Sequence, residues 1–257
     1  MSGEIYMAAV GALAYEKRLQ IISNNLANSN TVGYKQDHGQ FHIPEMEKLS
    51  VDPTLNIEKI DISQAEIFWN NFKVYTDHTN GSLKNTGNDF DIALVGKGFF
   101  CVQTSDGIHY TRKGDFTLDS DGTLVTRNGW PVMGQSGEIQ IDGSGNPAQH
   151  KKFSVDENGN ISVDGKRIDS LRLVDFPQPY NLIKVGETLF KSSDTGAGPI
   201  PAEKLKVSQG FIELSNVDGV KMMTEMIEVL RGYESYQKII RSVDDVNSRA
   251  INEMGKL

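Results

Sequence analysis

Apolar residues recur at both ends of this chain on the same beat, and that beat limits what the chain can fold into. Ile5, Ala8, Ala12, Tyr15, Leu19, Ile22 and Leu26 advance in alternating steps of 3 and 4. Met222, Met226, Val229, Tyr233, Tyr236, Ile240, Val243, Asn247, Ala250 and Met254 do the same in steps of 4 and 3. Such steps keep one helical face apolar, as in the a/d seam of a coiled coil. Met223, Ile227 and Leu230 widen the second stripe, so it has room for more than one partner helix. One stripe alone reads as the core face of an ordinary helix. Two, with no comparable pattern between them, predict termini that pair with each other or with other chains. At ~1.5 Å per residue, positions 4–27 give a helix of about 36 Å and positions 217–255 one of about 58 Å. The overhang needs another subunit to cover it.

The helix ends carry their own signals. Ser215, Asn216 and Asp218 precede the second pattern and are N-cap candidates. The first pattern finishes in "NNLANSNTVGYK", where Asn24, Asn25, Asn28 and Asn30 fall within seven residues. Asparagine is a poor helix former because its amide competes for nearby backbone groups. Leu26 lies on the seam and Asn24, Asn25 and Asn28 lie off it, with Gly33 beyond as a turn or C-cap glycine.

Between the termini the pattern is that of strands. "FDIALV", "GFFCVQT", "IHYTR", "GTLVT" and "SLRLVDF" are separated by Asp106-Gly107, Asp121-Gly122, Asn128-Gly129, Asn158-Gly159 and Asp164-Gly165. These dipeptides are turn signals, and their spacing suggests an antiparallel sandwich or open barrel. The expected class is α+β: a coiled-coil-like helical domain from both termini and a central all-β domain. The expected boundaries are 1–35 for the first helix, 36–86 for an extended connector with one or two short strands, 87–214 for the β domain and 215–257 for the second helix. Only 38% of the 257 residues are hydrophobic and 25 are glycine, which suits many turns and surfaces that need partners.

Enzyme signatures fail where they are sought. "VGKGFF" has Asp91 where a phosphate loop needs its first glycine and Gly98 where it needs Ser or Thr. A dinucleotide fingerprint would need glycine at Cys101. Asp119-Asp121-Gly122 and Asp156-Asn158-Gly159 echo calcium loops, but Asn128 and Gly165 stand at the closing positions, so plain Asx turns are expected. His38 and His42 have a chelating spacing, but Gly39 and Pro44 argue against the helix it requires. No catalytic residue, cofactor or metal is expected. A net charge of −8 without a basic block makes nucleic acid a poor partner. The lone Cys101 excludes an intrachain disulfide and reads as a buried inert thiol. The uncharged run Ile5–Tyr15 is too short to span a bilayer, and Glu4 stands where a secretory signal carries basic residues, so neither a membrane span nor a cleaved signal is expected.

The opening "GALAYEKRLQIISNNLANSNTVGYK" resembles that of bacterial flagellar rod and hook proteins. Its Asn24, Asn25, Leu26, Ala27, Asn28, Thr31, Gly33 and Tyr34 occupy the family's motif positions. "TGNDFDIALVGKGFFCVQ" and "YTRKGDFTLDSDGTLVTRNGWPVMG" resemble the family's β core. "SQGFIELSNVDGVKMMTEMIEVLRGYESYQKII" is similar to its C-terminal motif. Length and the lack of a large insertion favour the rod branch over the hook. The stretches "MSGEIYMAAVGAL" and "PVMGQSGEIQI" favour the proximal part of the rod, with the distal part next.

The resemblance implies a structural subunit, passed unfolded through the flagellar type III export apparatus without a cleaved signal. It would then stack with copies of itself and other rod proteins in the periplasmic basal body, turning motor torque into shaft rotation. The assembly residues implied are the two seams, from Ile5 to Leu26 and from Met222 to Val243. Asn24, Asn25 and Asn28 would bond neighbouring subunits and set register, with plain capping and turn-making the alternative for Asn28 and Asn30, and Asn216 is the matching amide of the C-terminal motif. Two positions depart from the family's pattern. Gly232 replaces a usual Ala, at a cost of about 1 kcal/mol in a bare helix. Lys221-Met222-Met223 replaces a more acidic helix start, weakening the complement to the helix dipole. Two other classes stay open beside this reading: a glycan-binding β module using Trp130 and Tyr110, and a hydrolase using paired carboxylates.

Overall fold

A computed structural model describes residues 2–41, 72–141, 152–193, 198–202 and 205–254. The terminal patterns form two helices, α1 (Ser2–Ala27) and α2 (Gly219–Met254), and the segments between form strands paired antiparallel. The chain is α+β. Asp218 caps α2, its Oδ1 accepting from the backbone N–H of Val220 at 3.0 Å and of Lys221 at 3.1 Å. The helix has no acidic residue in its first turn. The capping carboxylate therefore supplies the negative charge that favours a helix N-terminus.

Two compact units divide the chain. The first holds residues 1–27, 37–77 and 218–257, and so contains both helices. Within it Asp37–Phe41 pairs antiparallel with Phe72–Thr76, from Asp37 opposite Thr76 to Phe41 opposite Phe72. That strand passes α1 at Gly39, where a Cβ would lie 2.8 Å from Ile21 Cδ1 and 2.5 Å from Phe72 Cζ. Most of the connector expected between 36 and 86 lies outside the described residues.

The second unit holds residues 28–36 and 78–217. Its largest sheet runs in the order Leu182–Val185, Leu189–Ser192, Gly107–Thr111, Phe99–Thr104, Leu173–Asp175, Ile200–Pro201. Leu83–Asn85 pairs with Phe211–Glu213, and Ile92–Val95 with Lys206–Gln209, so the C-terminal end of the unit is woven back onto its start. The strand Phe99–Thr104 is buried on both faces. Phe100 and Val102 enter one core with Ile92, Leu94, Leu124, Val132, Ile139 and Ile161, while Phe99 and Cys101 enter a second with Tyr110, Phe176 and Phe190. A side-chain period of two explains the division. Burial pushes the Cys101 thiol up to about 11, which suits an inert core thiol.

Candidate assembly surface

Tyrosine rings fill glycine notches where the helices meet. A Cβ on Gly11 would lie 2.3 Å from the Tyr236 ring, and one on Gly232 would lie 2.0 Å from the Tyr15 ring. The two rings also meet each other, centroids 5.5 Å apart and tilted by 47°. Positions 11 and 15 face 236 and 232, so α1 and α2 run antiparallel. This changes the reading of Gly232: the missing methyl makes room for Tyr15. Gly232→Ala should therefore destabilise the helix pair by about 1 kcal/mol, overpacking outweighing the usual gain in helix propensity. Thermal melting followed by helical circular dichroism checks it, and in a Tyr15→Leu background the same change should become neutral or stabilising.

The predicted seam residues divide by exposure. Ala8, Ala12, Ile22, Met222 and Val229 are buried. Tyr15, Leu19, Leu26, Met226, Tyr233, Tyr236, Ile240 and Val243 are half-buried. The side chain of Ile5 lies outside the described residues. The flank of α2 is open instead: Val220 is 76% exposed, Met223 54%, Ile227 52% and Leu230 39%, in steps of 3, 4 and 3. Ile239 and Val246 continue the exposure further along α2. Extrapolating the antiparallel register carries Ser2 to about position 245, so roughly nine residues of α2 pass beyond the start of α1.

The amides have work inside this chain. Asn25 is buried, and its side chain donates to the carbonyl of Asp37 at 2.7 Å and accepts from the Asp37 N–H at 2.9 Å. It thereby mimics a strand partner for Asp37. Asn28 is also buried, and its carbonyl and Oδ1 accept from the N–H and hydroxyl of Thr31. Asn216 Oδ1 accepts from the Gln36 N–H at 2.7 Å, and its Nδ2 donates to the carbonyl and hydroxyl of Thr79. Asn24 is exposed. Asn25 and Asn28, amides of the first helix's terminal cluster, and Asn216 before α2 thus make bonds within this chain.

A buried charge cluster that sequence reasoning missed lies in the second unit. Lys35 and Glu213 have fully buried side chains, and Lys35 Nζ donates to Glu213 Oε1 at 2.5 Å and to the Thr79 carbonyl at 2.7 Å. Glu213 Oε1 also accepts from the Gly81 N–H at 2.9 Å, and Oε2 from Arg112 at 3.3 Å. Arg112 further reaches the carbonyls of Leu94 and Gly96 and the Asn80 side-chain oxygen. Burial lowers the Arg112 pKa from its usual value, opposed by the Glu213 carboxylate. Gly33 brings the segment in: its N–H donates to the Glu213 carbonyl at 2.8 Å, and its φ of +69° is left-handed. Tyr34 beside it is fully buried, with Lys184 Nζ 3.8 Å over its ring. Lys35 stands in the quoted motif, but nothing local in sequence ties it to a glutamate 178 positions away.

Other candidates take ordinary places. Asp119 Oδ1 accepts from the N–H groups of Asp121 and Thr123, and Asp156 Oδ1 from those of Asn158 and Asn160. The Asn160 side chain, bonded to Asp156, leads the causes that lower its pKa. These are the Asx turns expected. His38 lies in a strand and stacks on Tyr75, and His42 is outside the described residues. Tyr110 belongs to the core and Trp130 lines a cleft with Lys113, Asn128 and Glu187, so the two do not form one aromatic groove. Among the described residues no His, Cys, Asp or Glu group of three or more is placed to hold a metal, and no helix is long and apolar enough to cross a membrane.

Known proteins show the same three-part match along the chain. Residues 5–35 match the flagella basal body rod protein family, 93–163 the flagellar hook protein FlgE/F/G D1 domain, and 208–253 the flagellar basal body rod FlgEFG protein C-terminal family. The chain is 31% identical to the flagellar basal-body rod protein FlgF of Caulobacter vibrioides over 260 residues, covering 100% of both. It is 30% identical to the flagellar basal-body rod protein FlgG of Bacillus subtilis, covering 98% of this chain and 99% of that one. The flagellar hook-basal body complex protein FlhO of Bacillus subtilis is 32% identical, with 98% of each chain covered.

Proposed function

The chain belongs to the flagellar basal-body rod protein family, and from that premise we propose how it assembles and where. It is a structural subunit and not an enzyme. Its terminal helices wind together as a short coiled coil, and the antiparallel sheets of the second unit close as a sandwich or open barrel. Copies then stack head to tail through the open flank of α2. A contact of that kind, repeated without closing, generates a helical filament. The subunit arrives unfolded through the type III export apparatus, joins other rod proteins in the periplasm and transmits torque through many packed contacts. Its place is the proximal rod, with the distal rod as the second choice, on the strength of "MSGEIYMAAVGAL" and "PVMGQSGEIQI".

The observation that carries this reading is the run Val220, Met223, Ile227, Leu230, exposed on a helix whose other face is already packed against α1. Fully burying four such side chains supplies about 6 kcal/mol or more before the costs of association. An Ile227→Glu, Leu230→Glu variant should keep the circular dichroism and melting temperature of the monomer, since both residues are exposed. It should fail to enter basal bodies, and cells that depend on it should not swim. Complete basal bodies and normal swimming would sink the idea. Complementation of strains lacking either the proximal or the distal subunit tests the position.

A further inference from the structure

Three separate stretches bound the second unit: 28–36, the irregular segment starting at His78, and the strand Phe211–Glu213 with its continuation to Val217. All the points at which the chain enters or leaves that unit lie in these stretches. The cluster ties them to one another. Lys35 reaches Thr79 and Glu213, Glu213 reaches Gly81 and accepts from Gly33, and Asn216 reaches Gln36 and Thr79. Arg112 adds Asn80 from the interior.

We propose that Lys35, Arg112 and Glu213 form a closing lock, so that these three stretches order together or not at all. Two cations meet one carboxylate out of water, and the surplus donors are taken by carbonyls of Thr79, Leu94 and Gly96. A buried charge is tolerated only with its partners in place, so no member of the lock stays buried when another is missing. Lys35 and Glu213 are 178 positions apart. In a chain that emerges from its N-terminus, Lys35 appears early and waits for Glu213. Residues 28–36 therefore remain undocked, and the unit incomplete, until almost the whole chain is present. The lock is a completion check written into the fold, and it acts in the monomer irrespective of how subunits later stack.

Amide hydrogen exchange on the purified full-length chain tests this with Glu213→Gln. Gly81 donates to the altered side chain, whereas Gln36 donates to Asn216, which the substitution leaves untouched. The lock predicts that the amides of Gly33, Gln36 and Gly81 all accelerate by one common factor of about tenfold or more, while those of Phe99–Thr104 keep their protection. Wild-type protection at Gln36 beside faster exchange at Gly81 overturns the proposal. Should Glu213→Gln fail to fold, Lys35→Met answers the same question from the other side, since the acceptor of Gly81 survives. Faster exchange at Gly81 in that variant supports the lock, and unchanged exchange there refutes it.

Discussion

Gly33→Val should detach residues 28–36 from the second unit at a cost of about 4 kcal/mol or more. A left-handed φ of +69° is uncomfortable for any L side chain and worst for a β-branched one. The added Cβ would stand 2.4 Å from the Lys113 backbone nitrogen and 2.6 Å from the Arg112 carbonyl carbon. These are backbone atoms of a packed unit, so they cannot swing aside as a side chain can. Moving the segment out breaks the bond from Gly33 to Glu213 and exposes Tyr34 and Lys35, both of which are fully buried. Lost burial of one aromatic ring alone is worth about 2 kcal/mol. Equilibrium urea unfolding of the full chain gives the measurement. Gly33→Ala should fall between wild type and valine, and a midpoint unchanged in both would mean the segment is not seated as described.

Val229→Asp should separate the two helices, with a loss of about 4 kcal/mol from the first unit. Val229 is 2% exposed on the packed face of α2. The change forfeits the burial of a branched side chain, worth about 1.5 kcal/mol or more, and asks a carboxylate to enter an apolar contact without a partner. Helical signal should be lost in an early melting transition while exchange protection of Phe99–Thr104 persists. Burial raises the pKa of an introduced aspartate, so the loss should be smaller at pH 4 than at pH 7. The control is Leu230→Asp, next along the helix and 39% exposed, which should leave the monomer's melting temperature almost unchanged. Equal damage from both would contradict the face assigned to Val229.

Periodic features were the legible part of this molecule. Steps of 3 and 4 locate both helices, and the five turn dipeptides fall at positive-φ glycines such as Gly122 and Gly159. Buried polar chemistry was not legible in the same way. Nothing around Lys35 announces a fully buried lysine, because its burial depends on Glu213 and Arg112 arriving from distant strands. The amides were visible as a cluster, yet their partners are backbone groups at Asp37 and Gln36 that carry no mark in a sequence. Gly232 shows the same limit from the opposite side. Its cost can be read from helix propensity, and its use only from the Tyr15 ring that fills the space.

Those two ring-and-notch contacts also make sliding between the helices discrete. Shifting α2 by one turn, about 5.4 Å, would bring Tyr15 from Gly232 onto Glu228 or Tyr236, where a side chain already occupies the space. Tyr236 would leave Gly11 in the same movement. Each ring thus behaves as a key in a slot, and two keys one turn apart resist a slip that a single ring would pass by tilting. A shaft part gains from such an arrangement something hydrophobic area cannot give: area resists pulling apart but is nearly indifferent to a small axial shift, whereas a keyed pair fixes the phase of one helix against the other.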